Sequence, residues 1–435
     1  MKNLIPRIET RSRAEIKAYQ EEQLEGLLSY LQSNSPYYQE LFQKHHIDIT
    51  TIRRLEDLQK IPVTTKDDLQ KRNTDFICVP RTKIVDYITT SGTLGDPVTF
   101  VATQNDLDRL AYNEFLSLST AGGTSEDIYQ LMVTLDRRFM AGLAYFLGIK
   151  RLGAGVVRAG VGSPAFQLDT IQRIKPSILV AVPSFLVKLI DYAQHNGIDI
   201  SKTSVKSAVC IGEPIRGDDF QFNALGQRIR EKWDIDLYST YASTEMATAF
   251  TECQEGRGGH HHPELIILEV LNEDNQPVEE GQAGEVTITT LGIEGMPLLR
   301  FKTGDICHFH TEACSCGRNT LRLGPVMGRK QRMIKYKGTT LYPPALFEVL
   351  NSVKAVEDYV VTLNSNDIGV DEISVEIATQ DASTHIGELI KDEFRKQVRV
   401  VPQISFTSKA NIQKLKFPPM ARKPVKLIDK RKKAK

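Results

Sequence analysis

Short apolar runs alternate with helix-length segments through the first half of the chain, and this alternation limits the folds open to it. Residues 178–182 and 208–211 are continuously apolar, as expected of strands buried on both faces. Residues 106–119 have helical spacing, and residues 129–135 resemble a strand. The pattern predicts an α/β domain, in which ligands bind at the carboxyl ends of the strands.

The length of the chain, 435 residues, exceeds what one ordinary hydrophobic core serves, so we expect a large domain and a smaller one. The net charge of +1 provides no general attraction to nucleic acid or to a membrane surface. No apolar run approaches the roughly 18 residues of a membrane span, and the N-terminus lacks the apolar core of a signal peptide. We therefore expect a cytoplasmic protein without nucleic-acid or membrane partners.

A glycine- and hydroxyl-rich segment, residues 89–97, follows the apolar run 84–88 directly. Its backbone N–H groups and hydroxyls can donate to phosphates, which makes Ser91, Gly92, Thr93 and Gly95 candidate nucleotide contacts. A plain surface turn is the alternative. The segment lacks the Gly-Lys-Ser/Thr ending of a Walker loop.

Four further motifs follow in the chain: Tyr-Ala-Ser-Thr-Glu at 241–245, Arg-Phe-Lys-Thr-Gly-Asp at 300–305, Gly-Arg-Lys-Gln-Arg at 328–332, and Lys423 in a basic tail. In this order they resemble the core motifs of the adenylate-forming enzymes. The lead-in at 37–38 and 64–69 is similar to that of the phenylacetate-CoA ligase family, and the resemblance extends over residues 8–431. It implies an α/β fold: a large multi-layer N-terminal domain, 1–328, and a small α+β lid domain, 329–435.

The resemblance also implies the nucleotide contacts. Tyr241 would stack on adenine, Asp305 would bind the ribose hydroxyls, and Arg329 would contact ribose and phosphate. From the residues alone, Tyr241 could also be a half-buried core residue, and Asp305 could be a turn residue. Glu245 would bind the Mg²⁺ of MgATP, since a hard cation prefers carboxylate oxygen. The remaining contacts that the resemblance implies are Gly212, Glu213, Pro214, Ala242 and Thr244.

The implied reaction has two halves. A carboxylate attacks the α-phosphate of ATP to give an acyl-adenylate and pyrophosphate, with Lys423 stabilising the developing charge; Lys426 is the competing assignment. The lid would then swivel at Gln331 and present a loop containing Lys335 and Gly338 to coenzyme A, which forms the thioester and releases AMP. Such a rotation separates two steps that one site cannot hold at once.

The acid substrate is less defined by the sequence. Phe139, Ala141 and Pro183 are the expected pocket residues, but the neighbouring Arg137 and Arg138 favour either a polar acid or simple surface exposure. Aryl and arylacetic acids, including phenylacetate, are the candidates. Asp96 stands where the family commonly has lysine, which would weaken ATP binding unless another cation compensates.

Cysteine and histidine spacing suggests a metal site that the two half-reactions do not require. Cys253, the run His260-His261-His262, and the pair Cys314 and Cys316 could close a tetrahedral site with three sulfur ligands and one nitrogen, as in structural zinc centres. Family register favours His260 over its two neighbours. Reduced thiols beside an exposed polyhistidine loop are the alternative.

Two other functions stay open from the sequence. One is an adenylating enzyme with a different acceptor, either a carrier-protein thiol or a cofactor hydroxyl. The other is a non-catalytic nucleotide-binding relative, which only Asp96 supports. The sequence also leaves open whether the protein is a homodimer.

Overall fold

The computed structural model describes residues 4–90, 98–336, 339–365, 371–417 and 424–431, apart from the side chains of residues 331, 335, 339 and 340. The chain forms two compact units, Met1–Val326 and Met327–Lys435; the sequence had suggested a first domain ending at residue 328. Among the described helices, none combines the length and apolarity that a membrane span requires.

The elements of the first unit cover most of its length. Its helices are α1 (Arg13–Asn34), α2 (Pro36–Lys44), α3 (Lys66–Lys71), α4 (Gln104–Thr120), α5 (Met140–Leu152), α6 (Pro164–Ile174), α7 (Pro183–His195) and α8 (Ala224–Arg230). Its strands are β1 (Asp86–Thr89), β2 (Thr99–Ala102), β3 (Ile128–Leu131), β4 (Gly155–Arg158), β5 (Ile178–Ala181), β6 (Ser207–Ile211), β7 (Asp236–Ser243), β8 (Thr248–Thr251), β9 (Gly259–His260), β10 (Ile266–Leu271), β11 (Gly284–Thr290), β12 (Phe301–Cys307), β13 (Phe309–His310) and β14 (Arg322–Leu323).

The first helix begins at the capping box that its sequence predicts. Ser12 N donates to Glu15 Oε2 at 3.0 Å, and Glu15 N donates to Ser12 Oγ at 3.3 Å. Each bond satisfies an N–H group that the helix leaves without an internal partner. Leu24, Leu28 and Leu31 lie on one face and are buried, so burial of this face fastens α1 to the large core.

A large mixed sheet organises the first unit. Among the described residues its strands run in the order β13-β14-β9-β8-β7-β6-β5-β3-β4. The strands from β4 to β7 pair in parallel, whereas β7, β8, β9, β14 and β13 pair antiparallel. The predicted α/β alternation is confirmed. Parallel pairing brings the carboxyl ends of β3, β5, β6 and β7 to one edge, where ligands of α/β sheets bind.

A second, antiparallel group of strands, β10, β11 and β12, and the hairpin β1–β2 complete the first unit. Arg109 of α4 ties these parts together from inside the core. Its guanidinium donates to the carbonyl oxygens of Leu291 and Leu265 at 2.6 Å and of Ala247 at 2.8 Å. A buried cation is stable only when its N–H groups donate hydrogen bonds to nearby acceptors. Because the Arg109 guanidinium donates to backbone carbonyls, we give Arg109 a structural role.

The second unit has an α+β arrangement, as the sequence predicts. Its helices are α9 (Pro343–Ser352), α10 (Thr384–Val398) and α11 (Lys409–Lys416), and its strands are β15 (Gly328–Arg329), β16 (Ile334–Tyr336), β17 (Thr339–Leu341), β18 (Asp358–Ser365), β19 (Asp371–Ala378), β20 (Gln403–Phe406) and β21 (Leu427–Asp429). One sheet has the order β20-β19-β18-β21. Its core includes Val361, Val375 and Phe394.

Candidate nucleotide and metal sites

Two hydrogen bonds close the stems of the candidate phosphate loop. Thr90 N donates to the Val98 carbonyl oxygen at 3.0 Å, and Val98 N donates to Thr90 Oγ1 at 3.1 Å. The strands β1 and β2 on either side pair antiparallel, so Thr90 and Val98, which flank the loop, are held next to each other. The loop residues themselves lie outside the described part of the chain, and their roles stay predictions: Ser91, Gly92, Thr93, Gly95 and Asp96.

Tyr241 and Asp305, both predicted nucleotide contacts, lie side by side although 64 residues separate them. The Tyr241 hydroxyl donates to Asp305 Oδ2 at 2.9 Å. Burial raises the pKa of Tyr241 well above its usual value, and the Asp305 carboxylate raises it further. The phenol therefore stays protonated and holds the carboxylate in place. Tyr241 lies within β7.

The turn after β6 is also held in place. Gly212 has φ of +75°, a conformation that glycine adopts without strain. Glu213 Oε2 accepts from Ser184 N at 2.9 Å, at the N-terminus of α7, where a carboxylate interacts favourably with the helix dipole. The Pro214 carbonyl accepts from Asn223 Nδ2 at 3.0 Å. These bonds orient the backbone that is predicted to line the adenine.

Lys66 lies at the candidate magnesium ligand, and the sequence had not identified it as a site residue. Its Nζ is 3.9 Å from Glu245 Oε1, and the two side chains are only 20% and 14% exposed. Lys66 begins α3 behind the capping residue Thr65. The preceding Thr64 N donates to the Arg300 carbonyl oxygen at 2.9 Å, so α3 is tethered to the start of β12. Nothing local in the sequence indicates which residue Lys66 faces.

Thr244 lies beside Glu245, and both line a small, largely apolar cleft. Other side chains at this cleft are Ile88, Phe100, Leu107, Leu110, Met140 and Met296. Ala242, the remaining predicted contact of this segment, is exposed on β7. The arrangement places apolar surface next to the candidate magnesium ligand.

The expected acyl-pocket residues lie at two helix starts. Phe139 precedes α5, Ala141 lies in its first turn, and Pro183 begins α7. The strands before these helices, β3 and β5, are neighbours in the sheet, so both helix starts face the same edge. Arg137 and Arg138 have positive φ values of 59° and 58°, and both are exposed.

The second unit contains the predicted lid residues. Arg329 lies in β15 and is half-buried, Gln331 lies in the single helical turn Lys330–Arg332, and Lys335 lies in β16. Gly338 and Lys423 lie outside the described residues. The functional roles of all five stay predictions.

Cys253, His260, Cys314 and Cys316 come together, with their sulfur and nitrogen ligand atoms all within 4.8 Å of one another. Cys253 Sγ lies 3.7 Å from Cys314 Sγ and 3.4 Å from His260 Nε2, which is 3.5 Å from Cys316 Sγ. Tetrahedral zinc with bonds of about 2.3 Å to sulfur and 2.0–2.1 Å to nitrogen requires separations of about 3.8 Å and 3.6 Å. The four groups fit a zinc ion.

The other two histidines of the run face elsewhere. His261 Nε2 lies 2.6 Å from the Ile266 carbonyl oxygen, and His262 Nδ1 lies 2.5 Å from Glu9 Oε1. His260 instead points Nδ1 toward Thr320 Oγ1 at 3.4 Å, which orients Nε2 toward the thiols. The fold thus distinguishes three adjacent residues of the same type.

A buried ion network surrounds the cysteine cluster. Arg318 Nη1 lies 3.6 Å from Cys316 Sγ, and its Nε donates to Glu9 Oε2 at 2.7 Å. Burial alone would raise the pKa of the Glu9 carboxyl, but His262 and Arg318 lower it below its usual value. A hydrogen bond from Cys253, together with His260, lowers the pKa of the Cys316 thiol. Glu9 and Arg318 were absent from the sequence-based site because they lie 309 residues apart.

The chain is similar to known proteins over most of its length. A model of the AMP-binding enzyme family matches residues 23–294. The chain is 31% identical to the phenylacetate-coenzyme A ligase of Thermus thermophilus over 396 residues, 89% of this chain and 87% of the relative. It is 29% identical to that of Escherichia coli over 387 residues, 86% and 85% of the two chains. Its fold is similar to 2-hydroxyisobutyryl-CoA ligase in the postadenylation state, with a TM-score of 0.85 and 21% identity, covering 98% of this chain and 91% of that chain.

Proposed function

The chain belongs to the AMP-binding enzyme family and is an ATP-dependent acyl-CoA ligase, and we propose that its acid substrate is an aryl or arylacetic acid. The observation that carries this proposal is similarity to phenylacetate-coenzyme A ligases over 89% of the chain and 87% of the relative. The apolar cleft beside Thr244 supports an apolar acid. Arg137 does not argue for an anionic one, since its side chain is 66% exposed.

In the first half-reaction, an oxygen of the acid carboxylate attacks the α-phosphorus of ATP and the bond to pyrophosphate breaks. Tyr241 and the turn at Gly212 would contact the adenine, and Asp305 would accept from the ribose hydroxyls. Thr244 and the phosphate loop would hold the phosphates. Mg²⁺, when bound through Glu245, supplies charge neutralisation for the phosphates.

Lys66 adds a positive charge to this arrangement. Its Nζ lies 3.9 Å from the candidate magnesium ligand Glu245. Two charged groups at this distance, mostly withdrawn from solvent, interact more strongly than they would in water. We place Lys66 at the polyphosphate of the substrate.

In the second half-reaction, the thiol of coenzyme A attacks the acyl carbonyl carbon and the bond to AMP breaks. The second unit would supply Lys423 and Arg329 to adenylation, and Lys335 with Gly338 to coenzyme A binding, with Gln331 at the hinge. We also propose a cytoplasmic enzyme of phenylacetate breakdown or a related pathway. A light-scattering measurement of molar mass would show whether the protein is a homodimer.

The test of the proposed function is exchange of labelled pyrophosphate into ATP, across aryl, arylacetic and aliphatic acids. We expect exchange with aryl or arylacetic acids only, followed by thioester formation when coenzyme A is added. Exchange without a thioester would indicate another acceptor. Absence of exchange with every acid, despite measurable ATP binding, would contradict the proposal.

We propose that Cys253, His260, Cys314 and Cys316 bind a structural zinc ion, because three thiols and an imidazole at tetrahedral separations form a closed site. Metal analysis of protein purified without added metal should find about one zinc per chain. Cys316→Ser should lose most of it, while Cys78→Ser, at a buried cysteine away from the cluster, should keep it. Equal metal content in the two variants would refute the site.

A further inference from the structure

A buried ion pair connects the turn after β6, residues 212–214, to the end of β8. Arg216 Nε donates to Glu252 Oε2 at 2.8 Å, and the two side chains are only 14% and 1% exposed. Arg216 comes two residues after the turn, and Glu252 directly follows β8. Removing two charges from water is costly, and only a well-placed partner offsets that cost. The pair therefore restricts the turn to one position relative to β8.

Glu252 also fixes the strand that carries Tyr241. Its Oε1 accepts from Ser239 N at 2.7 Å, and its own backbone N–H donates to the Ser239 carbonyl oxygen at 3.0 Å. Ser239 lies in β7, two residues before Tyr241. At the end of β6, Ile211 pairs with Thr240, so the turn after β6 starts beside Tyr241. The two oxygens of one carboxylate therefore hold two neighbouring segments, both of which are predicted to contact the adenine.

The Arg216 guanidinium is also bound to the loop that follows the turn. Its Nη1 donates to the Phe220 carbonyl oxygen at 3.0 Å, and its Cζ lies 4.1 Å from the centre of the Phe222 ring. Gly256 packs against the same group, since a Cβ atom there would lie 2.4 Å from Nη2. A planar guanidinium with several N–H donors can bridge a carboxylate and a carbonyl at once. Loss of this group would therefore release both the loop and Glu252.

We propose that Arg216 and Glu252 position the turn 212–214 against Tyr241 and so determine selectivity for adenine over other purines. Neither side chain touches the nucleotide in this scheme, so both are positioning residues. The inference rests on the proposed adenine contacts of the turn and of Tyr241. Carbonyl oxygens of the turn would accept from the adenine amino group, and such hydrogen bonds depend on distance and angle. Loosening the ion pair should therefore weaken recognition of the base and leave the phosphate contacts intact.

The test compares the affinities of the full-length enzyme for ATP, ITP and inorganic tripolyphosphate, measured by calorimetry with Mg²⁺ present. ITP carries an oxygen in place of the adenine amino group, and tripolyphosphate has no base. Arg216→Gln should raise the Kd of ATP by about 10-fold, the amount that loss of one or two hydrogen bonds represents. The Kd values of ITP and tripolyphosphate should change less than about 3-fold. The preference of the wild type for ATP over ITP should largely disappear in the variant.

Arg228→Gln is the matched control, because Arg228 pairs with Asp191 in an ion pair whose two side chains are each 45% exposed. It should bind all three ligands as the wild type does. If Arg216→Gln does not fold, the double variant Arg216→Met/Glu252→Gln removes both buried charges. The double variant should show the same selective loss of ATP affinity.

The outcomes distinguish this inference from the proposed function. If the wild type prefers ATP over ITP and Arg216→Gln keeps that preference, the positioning role alone is overturned. Equal losses for ATP, ITP and tripolyphosphate would also overturn it, since they would indicate a general structural defect. A wild type that binds ATP and ITP equally would instead contradict the proposed adenine site, and this inference with it.

Discussion

Replacing Lys423 by alanine should lower the rate of acid-dependent pyrophosphate exchange by about 10²–10³-fold, the usual loss when one preorganised charge-stabilising group is removed. Negative charge develops on the α-phosphate and leaving pyrophosphate as the acid attacks, and the ammonium group would stabilise it. ATP binding, measured by calorimetry without acid, should change little. The loss should appear in kcat, because the interaction is made mainly in the transition state.

Lys426→Ala is the control that decides between the two assignments. The carbonyl of Lys426 accepts from Val361 N, and a change of side chain leaves that backbone bond in place. We expect the exchange rate of Lys426→Ala to stay within about 3-fold of the wild-type rate, a change of less than about 1 kcal/mol in the activation free energy. A large loss in Lys426→Ala with an active Lys423→Ala would reverse the assignment.

Replacing Glu9 by glutamine should destabilise the first unit by about 3–5 kcal/mol, the typical result of removing one partner of a buried ion pair. Glu9 and Arg318 are both buried and lie 2.7 Å apart, and His262 depends on the same carboxylate. The change leaves the Arg318 charge buried without its counter-ion. Urea unfolding followed by Trp233, the only tryptophan and a core residue of this unit, measures the effect.

The difference between wild type and Glu9→Gln should depend on pH. The folded state lowers the pKa of Glu9, so its stabilising contribution is complete above the unfolded carboxyl pKa of about 4.3. It is lost as the pH falls through the lower folded value. Glu56→Gln, at an ion pair whose glutamate is 63% exposed, should cost less than about 1 kcal/mol. A pH-independent difference would exclude the carboxylate as the cause.

Much of the secondary structure could be predicted because its signals are local. The Ser12–Glu15 capping box spans four residues, and the apolar runs of β5 and β6 are contiguous. The strands β18 and β19 are neighbours in the chain and pair antiparallel. Strand ends were less predictable: residues 129–135 suggested one long strand, whereas β3 ends at Leu131.

The candidate site was only partly predictable, for a different reason. Motif residues such as Tyr241 and Asp305 were recognised through resemblance, but their hydrogen bond crosses 64 residues. Lys66 and Glu9 carry no local mark of function. Each gains its role only from a partner at a distance in the chain, Glu245 for one and Arg318 for the other.

By itself the sequence determined the α/β class, the family, and the order of the motifs, since these depend on residue type and short-range spacing. Family register had favoured His260 among the three histidines, and the tertiary structure places it against the cysteines. Only the tertiary structure decided which cation faces Glu245 and which cation pairs with Glu9. Those choices depend on distances of a few ångströms between segments far apart in the chain. The packing of the sheets and helices sets such distances, and local patterns do not encode them.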